Sequence, residues 1–320
     1  MEQKTVLIVV PAEERHKEKL EKAGKGCRFV YSSHTGVTEE QIAQADAIIG
    51  TVPAGMIHAS PRLSLFQLNT AGADPYVVPG VLSENTVLCN ATGAYSKAVS
   101  EHAFAMMLML QKKLHLYRDA QRQSLWTDRG QVVSITDATV VVVGLGDIGL
   151  RFARMAKALG ARTIGVKRRG GPCPEGVDAL YTTEALDEAL KQADVIASFL
   201  PGNAATRHTY TAERFALMKD SAIFINCGRG SAVDPDVLLQ ALRDGQIAAA
   251  AVDVTDPEPL PAEHPLWLQE NMVITPHVSG FYHLPETFER IVDIAAENLS
   301  AWLEGRPLRN VVDFETGYKK

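Results

Sequence analysis

No stretch of the chain approaches the roughly 20 consecutive apolar residues that a membrane-spanning helix requires. The apolar stretch Phe104–Leu110 is far too short. A basic excess is also missing. With 38 acidic against 32 basic residues the formal net charge is −6, which argues against nucleic acid as a partner. Cysteine is scarce, with Cys27, Cys89, Cys173 and Cys227 scattered, no CxxC pair among them and no histidine at ligand spacing. They read as reduced cytosolic thiols, so the expected location is cytoplasmic and no metal is expected. The N-terminus carries no secretory pattern: Met1–Thr5 is polar, and the apolar stretch Val6–Val10 ends at Pro11, as a first strand would. What is present is ordinary for a globular protein, 46% hydrophobic and 22% charged over 320 residues. That length predicts two domains.

Short apolar runs alternate with helical stretches, the signature of α/β architecture with parallel strands. Strands are expected at Val6–Val10, Arg28–Tyr31, Ala47–Ile49, Leu65–Asn69 and Val87–Cys89. One long helix is expected from Ser100 to Gln123, its stripe of Met106, Met107 and Met109 reading as core packing. A second strand series follows at Val140–Val143, Arg162–Val166, Val195–Phe199, Ala222–Asn226, Ala249–Val252 and Met272–Ile274. Ser221, Asp236 and Asp244 stand where turns or caps are expected, and a last helix spans Pro285–Leu303. The tail after the second series is expected to return to the first domain. The fold class is thus α/β, two Rossmann-like or flavodoxin-like parallel-sheet domains with an interdomain active-site cleft. The expected domains are residues 1–99 plus 287–320 and residues 100–286.

The run Val140–Val143 leads into Gly144-Leu145-Gly146-Asp147-Ile148-Gly149, and a helix-like stretch Leu150–Leu159 follows with Gly160 placed to cap it. In a dinucleotide-binding βαβ unit each glycine has its own task. Gly144 permits the tight turn, Gly146 lets the backbone approach a pyrophosphate, and Gly149 lets helix and strand pack closely. The helix N-terminus then offers free N–H groups and a positive dipole end to phosphates.

Further on, three segments close predicted strands: Ile225-Asn226-Cys227-Gly228-Arg229-Gly230, then Val252-Asp253-Val254-Thr255-Asp256-Pro257-Glu258-Pro259-Leu260, then Thr275-Pro276-His277-Val278-Ser279-Gly280. Taken singly, Arg229 reads as a loop charge, Glu258 as a solvated carboxylate and His277 as a structural histidine. Their joint placement at strand ends fits 2-oxo acid reduction. A guanidinium fork binds a carboxylate and polarises a carbonyl, a histidine passes a proton to oxygen as hydride reaches carbon, and a carboxylate fixes the tautomer of its histidine partner.

These segments, with Asn69-Thr70-Ala71-Gly72-Ala73-Asp74, Asn90-Ala91-Thr92-Gly93, Val99-Ser100-Glu101-His102 and the fingerprint, resemble the D-isomer-specific 2-hydroxyacid dehydrogenase family over nearly the whole chain. The resemblance implies an oxidoreductase, a 2-oxo acid reductase yielding the (R)-hydroxy acid. Arg229, Glu258 and His277 would be catalytic, and Ala71, Gly72, Ala73, Arg229 and His277 would bind substrate. The fingerprint residues Gly144, Leu145, Gly146, Asp147, Ile148 and Gly149 would bind cofactor, together with Cys227, Asp253 (near the nicotinamide carboxamide) and Gly280. Pro201 and Thr206 resemble the loop that covers the cofactor. A homodimer is implied through the segment containing Leu114, Tyr117 and Trp126. Met56, Tyr95, Phe281 and Tyr282 either line a substrate side-chain pocket or pack in a core.

In NAD enzymes of this shape an acidic residue about 20 positions past the fingerprint binds the ribose 2′-hydroxyl. Here that position is Lys167, followed by Arg168 and Arg169. A carboxylate would repel a 2′-phosphate and a cationic cluster would bind it, so the reading favours NADP(H), with NAD(H) as the alternative. The partner is a small 2-oxo or 2-hydroxy acid, with no nucleic acid and no membrane. Two rivals stand beside this reading. A dinucleotide-sensing co-repressor-like protein would bind cofactor without turnover. A formate- or phosphite-type dehydrogenase would reduce NAD(P)+ with those anions; Glu258 stands where formate dehydrogenases carry Gln.

Overall fold

A computed structural model describes residues 3–57, 60–315 and 317–319. The chain divides into two compact units, Met1–Tyr95 with Tyr282–Lys320, and Ser96–Phe281. Among the described residues no helix is long and apolar enough to cross a membrane.

The first unit is built on a five-stranded sheet of β1 (Thr5–Ile8), β2 (Arg28–Tyr31), β3 (Ala47–Ile49), β4 (Leu65–Gln67) and β5 (Val87–Cys89), in the order β2-β1-β3-β4-β5. Every pairing is parallel. Such a sheet needs cover on both faces, and the side-chain alternation of β1 supplies it. Val6 and Ile8 join Leu20, Phe288, Ile291 and Leu299 on one face, and Leu7 joins Ile48, Phe66, Ile42 and Tyr76 on the other. The first face is covered by the helices Glu14–Ala23 and Pro285–Leu303. Met56, Tyr95 and Tyr282 pack against these cores, whereas Phe281, the last residue of the second unit, is 60% exposed.

The second unit holds β6 (Thr139–Val143), β7 (Arg162–Lys167), β8 (Ala179–Thr182), β9 (Val195–Ser198), β10 (Ile223–Asn226), β11 (Ala249–Val252) and β12 (Met272–Ile274). They form one parallel sheet in the order β12-β11-β10-β9-β6-β7-β8. The order reverses direction between β6 and β9, and ligands of open α/β sheets sit beyond the carboxyl ends of the strands at such a point. The helices Ser96–Gln111 and Asp147–Ala158 cover one face, with Phe104 edge-on to Phe152 at 5.6 Å and Phe152 beside Phe199 at 5.5 Å.

Several local expectations need correction. The single helix expected over residues 100–123 is two, Ser96–Gln111 and Leu114–Arg122. The break is at Lys113, in left-handed backbone (φ 56°), where Lys112 and Lys113 donate to the carbonyls of Val133 and Arg129. Apolar periodicity runs through such a break without registering it. The cap of the helix Pro235–Arg243 is Asp234, whose side chain accepts from the N–H of Asp236, and Asp244 is its C-cap. The half-buried edge strand β8 was not anticipated, because Ala179–Thr182 carries no sustained apolar run.

Candidate active site

The apolar strand β6 ends in a turn that only glycine can make. Gly144 has φ 92°, and a Cβ there would lie 2.7 Å from the backbone of Phe199. The N–H groups of Gly144 and Leu145 donate to the carbonyl of Val166 in β7, at 3.0 and 3.3 Å. A Cβ on Gly149 would lie 2.3 Å from the Gly144 oxygen, so the first turn of the helix Asp147–Ala158 sits directly on the glycine turn. Gly146 is the N-cap and provides no side-chain acceptor. Gly146 and Asp147 are exposed and Ile148 half-buried. The N-terminal N–H groups of this 12-residue helix are therefore left for an outside acceptor, with the positive dipole end behind them. At the other end Gly160, with φ 92°, follows the C-cap Leu159. A cradle that a Cβ would close, beside an uncapped helix start, fits the diphosphate of a dinucleotide.

Lys167 ends β7 half-buried, and Arg168 and Arg169 follow exposed. No carboxylate among the described residues pairs with any of the three. Beyond β9, the Thr206 hydroxyl donates to the Pro201 carbonyl at 2.6 Å and accepts from the N–H of Asn203 at 3.1 Å, which closes residues 201–206 into a tied loop.

Arg229, Glu258 and His277 follow the ends of β10, β11 and β12, three strands adjacent in the sheet. The buried Asn226 shapes the first loop. Its Oδ1 accepts from the N–H of Gly228 at 3.1 Å and its Nδ2 donates to the Arg229 carbonyl at 3.0 Å. Arg229 is half-buried, and its guanidinium donates to the Gly228 carbonyl at 2.9 Å. A Cβ on Gly230 would lie 1.9 Å from the Thr255 oxygen, so this loop is pressed against the one that carries Glu258. His277 Nδ1 and Glu258 Oε1 lie 2.8 Å apart, with the two side chains 50% and 41% exposed. An imidazole held at Nδ1 by a carboxylate presents Nε2 outward, the arrangement a proton donor to a substrate requires.

Asp253 is 1% exposed and fully engaged. Oδ1 accepts from the Thr275 hydroxyl at 2.5 Å and the N–H of Val278 at 3.0 Å, and Oδ2 accepts from the N–H of Ser279 at 3.0 Å. Its main-chain oxygen accepts from the N–H of His277 at 2.7 Å. Gly280 follows this segment. Cys227 is buried, its N–H donating to the Ser198 carbonyl at 3.1 Å, and burial, then the charge of Asp253, pushes its thiol well above the usual range. In the first unit, the carbonyls of Ala71 and Gly72 accept from Asn90 Nδ2 at 2.8 Å and the Thr70 hydroxyl at 2.7 Å, and Ala73 is buried. Sequence reasoning gave no role to Asn226, Thr275 or His102, although all three stand inside the segments it singled out. His102 Nε2 lies 3.0 Å from the Thr275 hydroxyl, a contact across 173 positions with no local signal.

The chain is similar to several known proteins. Residues 104–279 match the model of the D-isomer specific 2-hydroxyacid dehydrogenase, NAD binding domain. Over 283 residues, 86% of either chain, the protein is 31% identical to the glyoxylate/hydroxypyruvate reductase B of Salmonella newport. A solved D-isomer specific 2-hydroxyacid dehydrogenase family protein of Aeromonas salmonicida is 32% identical, with a TM-score of 0.86 over 98% of this chain and 100% of that one. The D-isomer specific 2-hydroxyacid dehydrogenase of Xanthobacter autotrophicus, solved with NADPH and MES, is 27% identical, with a TM-score of 0.85 over 99% and 100%. Matches of that extent lead to one conclusion: the chain belongs to the D-isomer-specific 2-hydroxyacid dehydrogenase family of NAD(P)-dependent oxidoreductases.

Proposed function

We propose that this chain reduces a small 2-oxo acid to its (R)-2-hydroxy acid with NADPH, with Arg229, Glu258 and His277 as the reacting constellation. The observation that carries the reading is the 2.8 Å pairing of His277 Nδ1 with Glu258 beside the strand end of Arg229. NADPH, held at the glycine turn and the start of the helix Asp147–Ala158, would supply the hydride that C2 of the substrate accepts. The guanidinium of Arg229 holds the substrate carboxylate and draws electron density from the neighbouring carbonyl. His277, engaged at Nδ1, gives its Nε2 proton to the carbonyl oxygen and is left as neutral imidazole. Glu258 keeps Nδ1–H in place and so fixes which nitrogen faces the substrate. The backbone N–H groups of Ala71, Gly72 and Ala73 are assigned to the substrate carboxylate on the family resemblance.

Lys167, Arg168 and Arg169 are assigned to the 2′-phosphate, which favours NADPH over NADH. That no carboxylate among the described residues pairs with them supports this. The helix start at Gly146–Ile148 is assigned to the diphosphate, with Pro201, Thr206, Cys227, Asp253 and Gly280 as further cofactor contacts. The reading includes a homodimer. Supporting it, Leu114, Leu125, Trp126, Val132 and Val133 expose apolar surface within one short segment, the kind a second copy would cover. A cytoplasmic location rests on Cys27, Cys89, Cys173 and Cys227 all being free thiols.

The test is the loss of reduced-nicotinamide absorbance with NADPH and NADH run separately against glyoxylate, hydroxypyruvate, pyruvate, 2-oxoisocaproate and phenylpyruvate. Faster turnover with NADPH is the expected result. Turnover with NADH alone would remove the phosphate role of the cationic cluster. Cofactor binding with no turnover of any acid would overturn the reading.

A further inference from the structure

We propose that His102 is a positioning residue for the acid/base group: through Thr275 and Asp253 it holds the segment 275–279 in the conformation that presents His277. The inference rests on the reading of His277 given above. His277 occupies left-handed backbone, with φ 51°. A non-glycine residue stays there only when its surroundings over-determine it. Asp253 supplies most of that constraint. Its buried carboxylate takes three donors from the segment, Thr275, Val278 and Ser279, and its main-chain oxygen takes the N–H of His277 at 2.7 Å. A buried carboxylate must be satisfied, so the segment cannot shift without stripping donors from it.

The hydroxyl of Thr275 has one proton, and that proton goes to Asp253 at 2.5 Å. Its oxygen is then an acceptor, and the donor within reach is His102 Nε2 at 3.0 Å. The same nitrogen is 3.8 Å from Asp253 Oδ1, too far for a hydrogen bond. Chains of this kind strengthen each member, because a hydroxyl that receives a hydrogen bond donates a better one. His102 comes from outside the loop, on the helix Ser96–Gln111. Ala103, Phe104, Met106 and Met107 bury that helix, so its position is set by core packing. The His102 side chain is itself 27% exposed, and Thr275 is the hydrogen-bond partner its ring reaches. Its polar contact with Thr275 is therefore the feature that needs a histidine at this position.

The experiment compares His102→Ala, His102→Gln, Thr275→Val and the double variant H102A/T275V in the full-length protein. It reads kcat, KM for the oxo acid, NADPH dissociation constant, unfolding midpoint, and amide exchange of Val278 and Ser279 without cofactor. We expect H102A to lower kcat about tenfold, the scale seen when an outer hydrogen-bond partner of a working group is removed. KM and NADPH affinity should stay within about twofold, and the Val278 and Ser279 amides should exchange faster. His102→Gln, which keeps a side-chain N–H donor, should recover most of kcat. H102A/T275V should be no worse than T275V alone, because the two residues act through one contact. Wild-type kcat in H102A or T275V would overturn the proposal. So would a loss confined to the unfolding midpoint, a loss that Gln does not recover, or losses that multiply in the double variant. If H102A does not fold, T275V and H102Q decide alone. His277→Gln separates the two readings. Full turnover in H277Q removes the acid/base assignment, whereas an inactive H277Q beside fully active His102 variants removes only the positioning role.

Discussion

Replacing Gly149 with alanine puts a methyl group where the structure has none to spare. The new Cβ would lie 2.3 Å from the Gly144 oxygen, 3.1 Å from Val142 Cγ1 and 3.3 Å from the Gly144 carbonyl carbon. Non-bonded heavy atoms rest at about 3.5 Å, so relief requires a shift of about 1 Å. The atoms in the way are main chain of the turn, not the end of a mobile side chain. Overpacking of this kind costs about 1–3 kcal/mol, and at about 2 kcal/mol a domain of this size loses about 4–8 °C in Tm. The same shift carries the helix start away from the diphosphate. A misplacement of about 1 Å at a positioned group costs up to ~100-fold in rate, so NADPH affinity and kcat/KM should both fall at least tenfold. Thermal unfolding by circular dichroism, with and without NADPH, reads both effects, because a ligand that binds only the folded state raises Tm by an amount that grows with the logarithm of its affinity. A G149A protein with wild-type Tm and wild-type NADPH affinity would refute the packing role assigned to this glycine.

Serine at all of Lys167, Arg168 and Arg169 should weaken NADPH by about 3- to 150-fold, at about 0.2–1 kcal/mol per charge, with NADH affected less than NADPH; fluorescence titration with each nucleotide checks the difference. Glu258→Gln keeps a hydrogen-bond acceptor for His277 and removes the charge. It should lower kcat by about 10- to 100-fold with little change in NADPH affinity, measured at saturating substrate. His115 is held below its ordinary value of 6.5, chiefly by burial. A depressed histidine binds its proton more readily when unfolded, so the stability it contributes is complete above pH 6.5 and is lost as the pH falls through the folded value. His115→Leu should flatten that acid limb in urea unfolding curves taken between pH 7 and 5, and an unchanged limb would contradict it.

The strands were legible because each is a short apolar run bounded by turn residues. The buried β6 reads Thr-Val-Val-Val-Val, and β2, β3, β5 and β11 occupy the expected residues. The last helix, Pro285–Leu303, also lies where it is expected. Features set by a single backbone angle or by contact with a distant residue left no such trace. The turn at Lys113 interrupts a pattern that continues on either side. Asp234 and Asp236 are both plausible caps by composition, and the hydrogen bond from the N–H of Asp236 decides for Asp234. β8 survives as an edge strand because β7 offers it a partner from Ile164 to Lys167, not because its own residues demand it.

By itself the sequence determined the parallel α/β character, the glycine turn and the residue types at the strand ends, since all of these are written in local spacing. Tertiary structure alone decided which of those residues meet. The sheet order makes β10, β11 and β12 neighbours, the pairing of Glu258 with His277 spans 19 positions, and the contact of His102 with Thr275 spans 173. A hydrogen bond forms only within about 3.5 Å, and closeness of that kind is a property of how elements pack, which residue spacing along a chain does not encode.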